Sequence, residues 1–247
     1  MITIKTPEEI KIMKEGGKIL AKVLNEVAKM AKPGVTTKDL DRASEALILK
    51  HKGKPAFKGY HGFPAALCTS VNEEIVHVIP SDRTLKDGDV ICLDLGVNYK
   101  GYNTDMAITV GVGKVSKESK KLISVTKKTL DLAVKFVKPG MMARDLGGFI
   151  EKYIEGKGFG VVRELCGHGI GKEVHEDPQL PNYFDEKSKT VIKEGMVICI
   201  EPMVTVGDWR IKKSKDNYGF QTKDSSLAAH FEHTMVITKK GAEVITK

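Results

Sequence analysis

Apolar residues recur along this chain with two periods, first helical and then strand-like, and the succession runs through twice. Ile10, Met13, Leu20, Leu24, Val27 and Ala31 follow the spacing of one helix face. Thr6 stands before them as an N-cap, Pro7 takes the first helical position, and Glu9 completes a capping box. Gly16–Gly17 interrupt the stripe and Pro33–Gly34 stop it, so a first helix is predicted from Thr6 towards Ala31. Leu40, Ala43 and Leu47 mark a second, from Thr37 to Lys52. A third is predicted from Ser116 to Val137, stopped by Pro139–Gly140, and a fourth from Ala143 to Gly156.

After each pair of helices the apolar runs shorten. Ala66–Val71, Val90–Leu95, Met106–Val112, Met196–Ile200 and Thr234–Ile237 are rich in Val, Ile and Thr and read as strands. Runs of strands following runs of helices argue for an α+β architecture, with helices packed on one face of a mainly antiparallel sheet. A doubly wound βαβ fold does not match that order. Trp209–Tyr218, WRIKKSKDNY, is polar and charged and reads as the least ordered stretch.

The repetition extends to single residues. KPGVTTKDLDR (32–42) is echoed by KPGMMARDLGG (138–148), and KDGDVICLD (86–94) by KEGMVICIE (193–201), at offsets of 106 and 107. Such a period marks a duplicated unit, with halves of approximately 1–113 and 114–247. Residues 1–247 are therefore expected to form a single domain of two halves related by a pseudo-twofold axis.

Each half supplies His, acid, acid in the same order: His77, Asp94, Asp105, then His175, Glu201, Glu232. Asp94 ends one predicted strand and Asp105 opens the next. The intervening GVNYKGYN is hairpin chemistry that returns one acid beside the other. Two adjoining carboxylates repel unless a cation lies between them, and Glu201, after the apolar MVICI, is costly to bury without a cation or a proton. Two such half-sites face to face would gather four carboxylates and some imidazoles, an arrangement suited to a two-metal centre.

The histidines divide by context. His168, in CGHGIG, has glycines that let backbone and ligand approach closely. His51 ends a Lys-rich helix and reads as solvated, while His61, in GYHGFP, is expected near the site. His230 shares strand parity with Glu232 and His233 does not, so His230 is expected beside the site as a partner of the acids. Four acids and one imidazole form an oxygen-rich set that suits Mn, Fe(II) or Co(II) better than Cu and lacks the thiolates of structural zinc.

Composition narrows the setting. The chain is 41% apolar and 29% charged, as in soluble globular proteins. No stretch approaches the roughly 18–20 apolar residues of a membrane span, and the N-terminus lacks the apolar core of a secretory signal. Cys68, Cys92, Cys166 and Cys199 show no CxxC spacing. Cys92 and Cys199 hold equivalent places in two apolar strands, so buried free thiols and a cytoplasmic location are expected. A net charge of +8 could serve an acidic surface such as ribosomal RNA, but the lysines are dispersed among acids and fit solvated helix faces better. No signature of dedicated nucleic-acid recognition is present, so neither DNA nor membrane is an expected partner.

At these residues the chain resembles bacterial type I methionine aminopeptidases, metallopeptidases with the pita-bread fold. The resemblance is carried by GYHGFP (59–64), TSVNEEIVHVIP (69–80), LKDGDVICLDLG (85–96), GYNTDMAITVG (101–111), CGHGIGKEVHEDP (166–178), IEPM (200–203) and FEHTMVIT (231–238), and it covers nearly the whole chain. It implies removal of the N-terminal methionine from nascent proteins whose second residue is small, by metal-activated hydroxide attack on the first peptide bond. It implies a cytoplasmic monomer acting on nascent polypeptide N-termini, with the ribosome surface as a further contact. It places the metal ligands on Asp94, Asp105, His168, Glu201 and Glu232, for two divalent ions of cobalt, manganese or iron(II).

By the same resemblance Glu201 would help activate the water and pass its proton on. His175 would stabilise the developing oxyanion and His77 would contact the scissile amide. The methionine side chain would enter a pocket built from Phe57, Tyr60, Phe63, Cys68 and Tyr218. Proline-specific relatives share the ligand set but usually carry a long N-terminal domain. Type II enzymes carry a helical insertion where His175 and Glu201 are here only 26 residues apart. Non-catalytic relatives that read peptides or RNA lose ligands that are all present here. Four positions depart from the family pattern: Val78 for Gly, Phe63 for Tyr, Val174 for an aromatic residue and Tyr218 for Trp. The small Val174 is expected to loosen the pocket.

Overall fold

A computed structural model describes residues 2–247. Its helices are α1 (Pro7–Ala28), α2 (Thr37–Lys50), α3 (Lys117–Phe136) and α4 (Ala143–Glu155). Thr6 caps α1 through the expected box with Glu9, and Thr36 and Asp39 form a second box on α2. Gly16–Gly17 do not break α1. A Cβ on Gly17 would stand 2.3 Å from the Ile245 carbonyl oxygen, so this glycine lets the C-terminal segment approach the helix.

The strands are β1 (Lys54–Pro55), β2 (Leu67–Val71), β3 (Glu74–Val76), β4 (Val90–Tyr99), β5 (Tyr102–Gly111), β6 (Gly160–Val161), β7 (Cys166–Gly169) and β8 (Glu176–Pro181). They continue with β9 (Val197–Ile200), β10 (Met203–Thr205), β11 (Ile211–Lys213), β12 (Phe220–Thr222), β13 (Ala228–His230), β14 (Glu232–Thr238) and β15 (Gly241–Val244). One sheet runs β1-β4-β5-β14-β9-β7-β8, with β2 also paired to β4 and β15 to β14. All of its pairings are antiparallel. β5 and β14, one from each half of the sequence, pair at its centre, and β4 and β9 flank them in matching positions.

Alternation along the strands gives this sheet one apolar face. Ile91, Leu93, Leu95 and Val97 of β4 are buried with Leu20, Leu24 and Leu40 of α1 and α2. Ile198, Ile200, Met235 and Ile237 of β9 and β14 are buried with Leu122, Leu130, Leu146 and Ile150 of α3 and α4. Each such side chain contributes about 1.5–3 kcal/mol by leaving water. Each pair of helices thus fixes its own half of the sheet, and residues of the other parity project to the opposite face.

Two expectations need correction. β4 and β5 are longer than predicted, and they turn at Lys100–Gly101, where φ is 50° and 86°. Both central turn residues have positive φ, as a type I′ hairpin turn requires. Asp94 and Asp105 therefore lie inside their strands and not at the ends. Trp209–Tyr218, read as the least ordered stretch, contributes β11, which pairs with β12, which in turn pairs with β3. Asp216 fastens its turn by accepting from the backbone N–H groups of Ile79 at 2.9 Å and Tyr218 at 3.0 Å.

Candidate metal centre

Register brings the acids together. Asp94 pairs with Ala107, and Glu232 pairs with the same Ala107 from the other side. Asp105 is two residues from Ala107, hence on the same face and diagonal to both. His233 pairs with Ile200, so continuing that register by one residue sets Glu201 opposite Glu232. His168 pairs with Cys199, two residues before Glu201. His168 therefore sits in strand β7 and not in a loop. Its flanking glycines serve strand packing: a Cβ on Gly167 would fall 2.4 Å from the Cys199 carbonyl oxygen, and one on Gly169 would fall 2.1 Å from that of Asp177.

All five residues are buried, none more than 8% exposed. His168 Nε2 lies 3.4 Å from Glu201 Oε1 and 3.9 Å from Glu232 Oε1. His168 Nδ1 is 2.9 Å from the Gly169 carbonyl, which fixes the proton on Nδ1 and leaves the Nε2 lone pair facing the acids. Burial lifts the Asp94 carboxyl to about 7. Burial, and then the charges of Glu232 and Asp94, lift Asp105 well above its usual range. Glu201 and Glu232 are raised in the same way, first by burial and then by neighbouring carboxylates. Burial lowers His168 to about 3, so its ring is neutral at pH 7.

Beside the acids opens a cavity of about 220 Å³. Its walls include every residue expected of the site: Asp94, Asp105, His168, Glu201, Glu232, His77, His175, Phe57, Tyr60, Phe63, Cys68 and Tyr218. His61 also lines it, as expected. Val76, Leu165, Cys166 and Met203 line it without having been singled out, because an apolar wall residue has no chemical signature of its own. His77 adopts a φ of 61° just after β3, and burial lowers it to about 4. His175 stands at the rim, its ring centroid 4.5 Å from that of His168 and its Nδ1 3.2 Å from the Tyr60 hydroxyl. Tyr218 closes the opposite side by donating to the Gly62 carbonyl at 3.1 Å.

The profile of metallopeptidase family M24 matches residues 11–239. A methionine aminopeptidase of Clostridium acetobutylicum is 47% identical over 247 residues, covering 100% of this chain and 99% of that protein. The crystal structure of a methionine aminopeptidase from Thermotoga maritima matches with a TM-score of 0.97 at 45% identity, over 100% of both chains. A prolidase from Pyrococcus furiosus matches less closely, with a TM-score of 0.78 at 28% identity, over 99% of this chain and 65% of that one. The chain belongs to metallopeptidase family M24.

With M24 membership come the pita-bread fold, peptide hydrolysis and dependence on a divalent cation. The residues present fit such a cation. Asp94 Oδ1, Asp105 Oδ1 and Glu232 Oε1 are buried without a hydrogen-bond partner. Orphaned carboxylate oxygens cost several kcal/mol unless a proton or a cation meets them. Asp94, Asp105 and Glu232 also bring one ligand atom each within 4.8 Å of one another, as do Glu201, His230 and Glu232.

Of the four departures from the family pattern, Phe63 and Tyr218 line this M24 cavity, their rings 5.8 Å apart. Val174 packs behind the wall with Phe57, Phe63, Ala65 and Cys68. Cys92 and Cys199 are free and buried, as their equivalence implies. No helix among the described residues is long and apolar enough to cross a membrane.

Proposed function

We propose that this chain removes the N-terminal methionine from polypeptides whose second residue is small, using two divalent cations held by Asp94, Asp105, His168, Glu201 and Glu232. One observation carries the reading: four carboxylates from both halves of the chain converge, buried and partly orphaned, at the foot of a small apolar cavity. The full-length likeness to methionine aminopeptidases selects methionine over the proline-directed specificity of the more distant prolidase. Mn, Fe(II) and Co(II) all suit the donors. Bound there, the cations would supply Lewis acidity and a nucleophile at neutral pH.

The protein groups would divide the remaining work. Glu201 accepts the proton of the attacking water and passes it to the departing amine. His175, with Nδ1 engaged by Tyr60, presents Nε2 to the substrate carbonyl as charge develops there, and His77 contacts the scissile amide. Phe57, Tyr60, Phe63, Cys68 and Tyr218 enclose the methionine side chain, whose thioether gains from aromatic neighbours. We assign residues 1–247 to one metallopeptidase domain of two repeats, 1–113 and 114–247, because the central β5–β14 pair joins them and neither repeat holds all four acids. The four free thiols support a reducing, cytoplasmic setting, and the net charge of +8 supports contact with the ribosome as a monomer meets nascent chains.

A panel of Met-Xaa peptides, with Leu-Ala and Xaa-Pro peptides as competitors, tests this reading. Cleavage should be confined to methionine followed by a small residue, vanish on chelation and return with Mn, Co or Fe(II). Equal rates on Leu-Ala or Xaa-Pro peptides would reject the methionine assignment, and full activity after chelation would reject the metal.

A further inference from the structure

His230 ends β13 and is 1% exposed, yet neither of its ring nitrogens has a hydrogen-bond partner. A neutral imidazole carries its proton on one of them, and a buried donor left without an acceptor destabilises the fold. The ring's backbone is held in place: the His230 N–H donates to Thr109 Oγ1 at 2.9 Å, and the same hydroxyl donates to the His230 carbonyl at 2.7 Å. Nε2 faces Glu201 Oε2 at 3.6 Å and Glu232 Oε2 at 4.0 Å. The other oxygens of the same two glutamates face His168. Each glutamate thus stands between two imidazoles.

The two imidazoles are differently equipped. His168 has the Gly169 carbonyl to take its Nδ1 proton, which is how a ligating histidine is usually supported. His230 has no acceptor at Nδ1. Were His230 a ligand through Nε2, its proton would be stranded on Nδ1. With the proton on Nε2, two carboxylate oxygens are within reach, and closing the 3.6 Å gap by a few tenths of an ångström completes a charge-assisted bond.

We propose that His230 is a positioning residue for Glu201: its Nε2–H donates to Oε2 and thereby keeps Oε1 turned towards His168. This rests on the five-residue metal reading above and adds a sixth residue that shapes the centre without ligating it.

The test titrates metal-free wild type, His230→Leu, His230→Gln and Glu232→Gln with Co(II), by calorimetry and visible absorption. His230→Leu should weaken the tightest Co(II) binding by about 10–100-fold and lower kcat with little change in KM. His230→Gln keeps an N–H donor of similar reach and should recover most of the affinity. Metal-free His230→Leu should melt close to wild type, because loss of the Nε2–H bond is offset by removal of the orphaned Nδ1. Wild-type affinity in His230→Leu overturns the proposal. Equal losses in the Leu and Gln variants, with shifted Co(II) bands, also overturn it by making His230 a ligand. Should His230→Leu not fold, His230→Asn, whose amide is too short to reach Oε2, replaces it with the same expected loss. Glu232→Gln isolates the underlying reading: wild-type Co(II) affinity there removes the metal assignment itself, whatever His230 does.

Discussion

In the first half of the chain both acids are aspartates set inside a long hairpin. In the second both are glutamates at strand edges, Glu201 just after β9 and Glu232 opening β14, with His168 and His230 beside them. Asp94 has ladder partners on both sides, Cys68 of β2 and Ala107 of β5. Asp105 is held by Gly96 of β4 on one side and on the other by the Thr234 hydroxyl, which accepts from its N–H at 2.8 Å and donates to its carbonyl at 2.7 Å, so a short side chain suffices. Glu201 lies beyond the last paired residue of its strand and has an extra methylene to control. Its backbone is tied by Asn182, whose Nδ2 donates to the Glu201 carbonyl at 3.0 Å, and its two oxygens look towards separate imidazoles. The acids of the first half thus stand as oxygen donors alone, while those of the second are accompanied by two imidazoles.

The largest effect should come from the pair that joins the halves. Asp105→Asn and Glu232→Gln should each lower turnover by about 10³-fold or more, since a metal centre contributes several kcal/mol to the transition state. Folding, read by circular dichroism and thermal melts, should be nearly intact, because each change relieves repulsion among buried carboxylates. Unchanged turnover in either variant would falsify the ligand assignment.

Metal removal sharpens the comparison through pH. His168, His230, His77 and His233, lowered by burial to about 3–4, stay neutral in the fold but take up protons on unfolding near pH 6.5, so they oppose the carboxyl slope there and drop out roughly one pH unit higher. Asp94, raised to about 7, keeps its proton in the folded chain at a pH where the unfolded chain has lost it. Asp105, Glu201 and Glu232 are raised by the same cause. Such groups stabilise the fold at low pH, and the benefit disappears as pH rises through the folded pKa. The chelated protein should therefore lose thermal stability between about pH 7.5 and 9, where the histidines no longer titrate, by about 1.4 kcal/mol per pH unit for each carboxyl still protonated. At roughly 2–4 °C per kcal/mol the change is readily measured. Saturating Mn should remove or reverse the slope, since deprotonated carboxylates bind it. A chelated protein whose Tm rises over that range would contradict the burial described.

Much of this was readable in the sequence. The order of helices and strands, the duplication and the convergence of acids follow from period and repeat, because each is a local pattern copied twice. What escaped depended on contacts distant in the chain. Gly96 looks like a turn residue beside Asn98, yet it lies within β4, where a Cβ would come 2.6 Å from the Phe57 ring. The glycines around His168 are plain in the sequence, but the carbonyls of Cys199 and Asp177 that require them are not. The stretch WRIKKSKDNY gains order from β12 and from the Ile79 N–H, neither of which its composition announces. Parity alone placed His230 beside the acids, but its lack of partners is a property of the folded interior.

A smaller effect is expected behind the pocket wall. Val174→Phe adds bulk to a closed cluster, and overpacking of that kind costs about 1–3 kcal/mol. The added ring should press on Phe57, Phe63 and Cys68 and narrow the cavity. Methionine should then be favoured over leucine by up to about 10-fold more than in the natural chain. Equal selectivity in the two proteins would show that Val174 does not set the pocket width.

The smallest effect concerns the rim. The Tyr60 hydroxyl lies 3.2 Å from His175 Nδ1 and also bonds the His175 backbone, and the His175 ring packs against those of Tyr60 and His168. Tyr60→Phe keeps the ring in the pocket wall and removes the hydroxyl alone. A neutral hydrogen bond contributes about 0.5–1.5 kcal/mol, so kcat should fall by roughly 2–10-fold with KM on methionyl peptides nearly unchanged. Binding of the methionine side chain depends on the ring and not on the hydroxyl, which is why the two constants should separate. If KM rises while kcat holds, the hydroxyl acts on the substrate directly and His175 is oriented by other means. A loss far beyond 10-fold would instead make the rim, like the buried glutamates, a place where geometry tolerates little freedom.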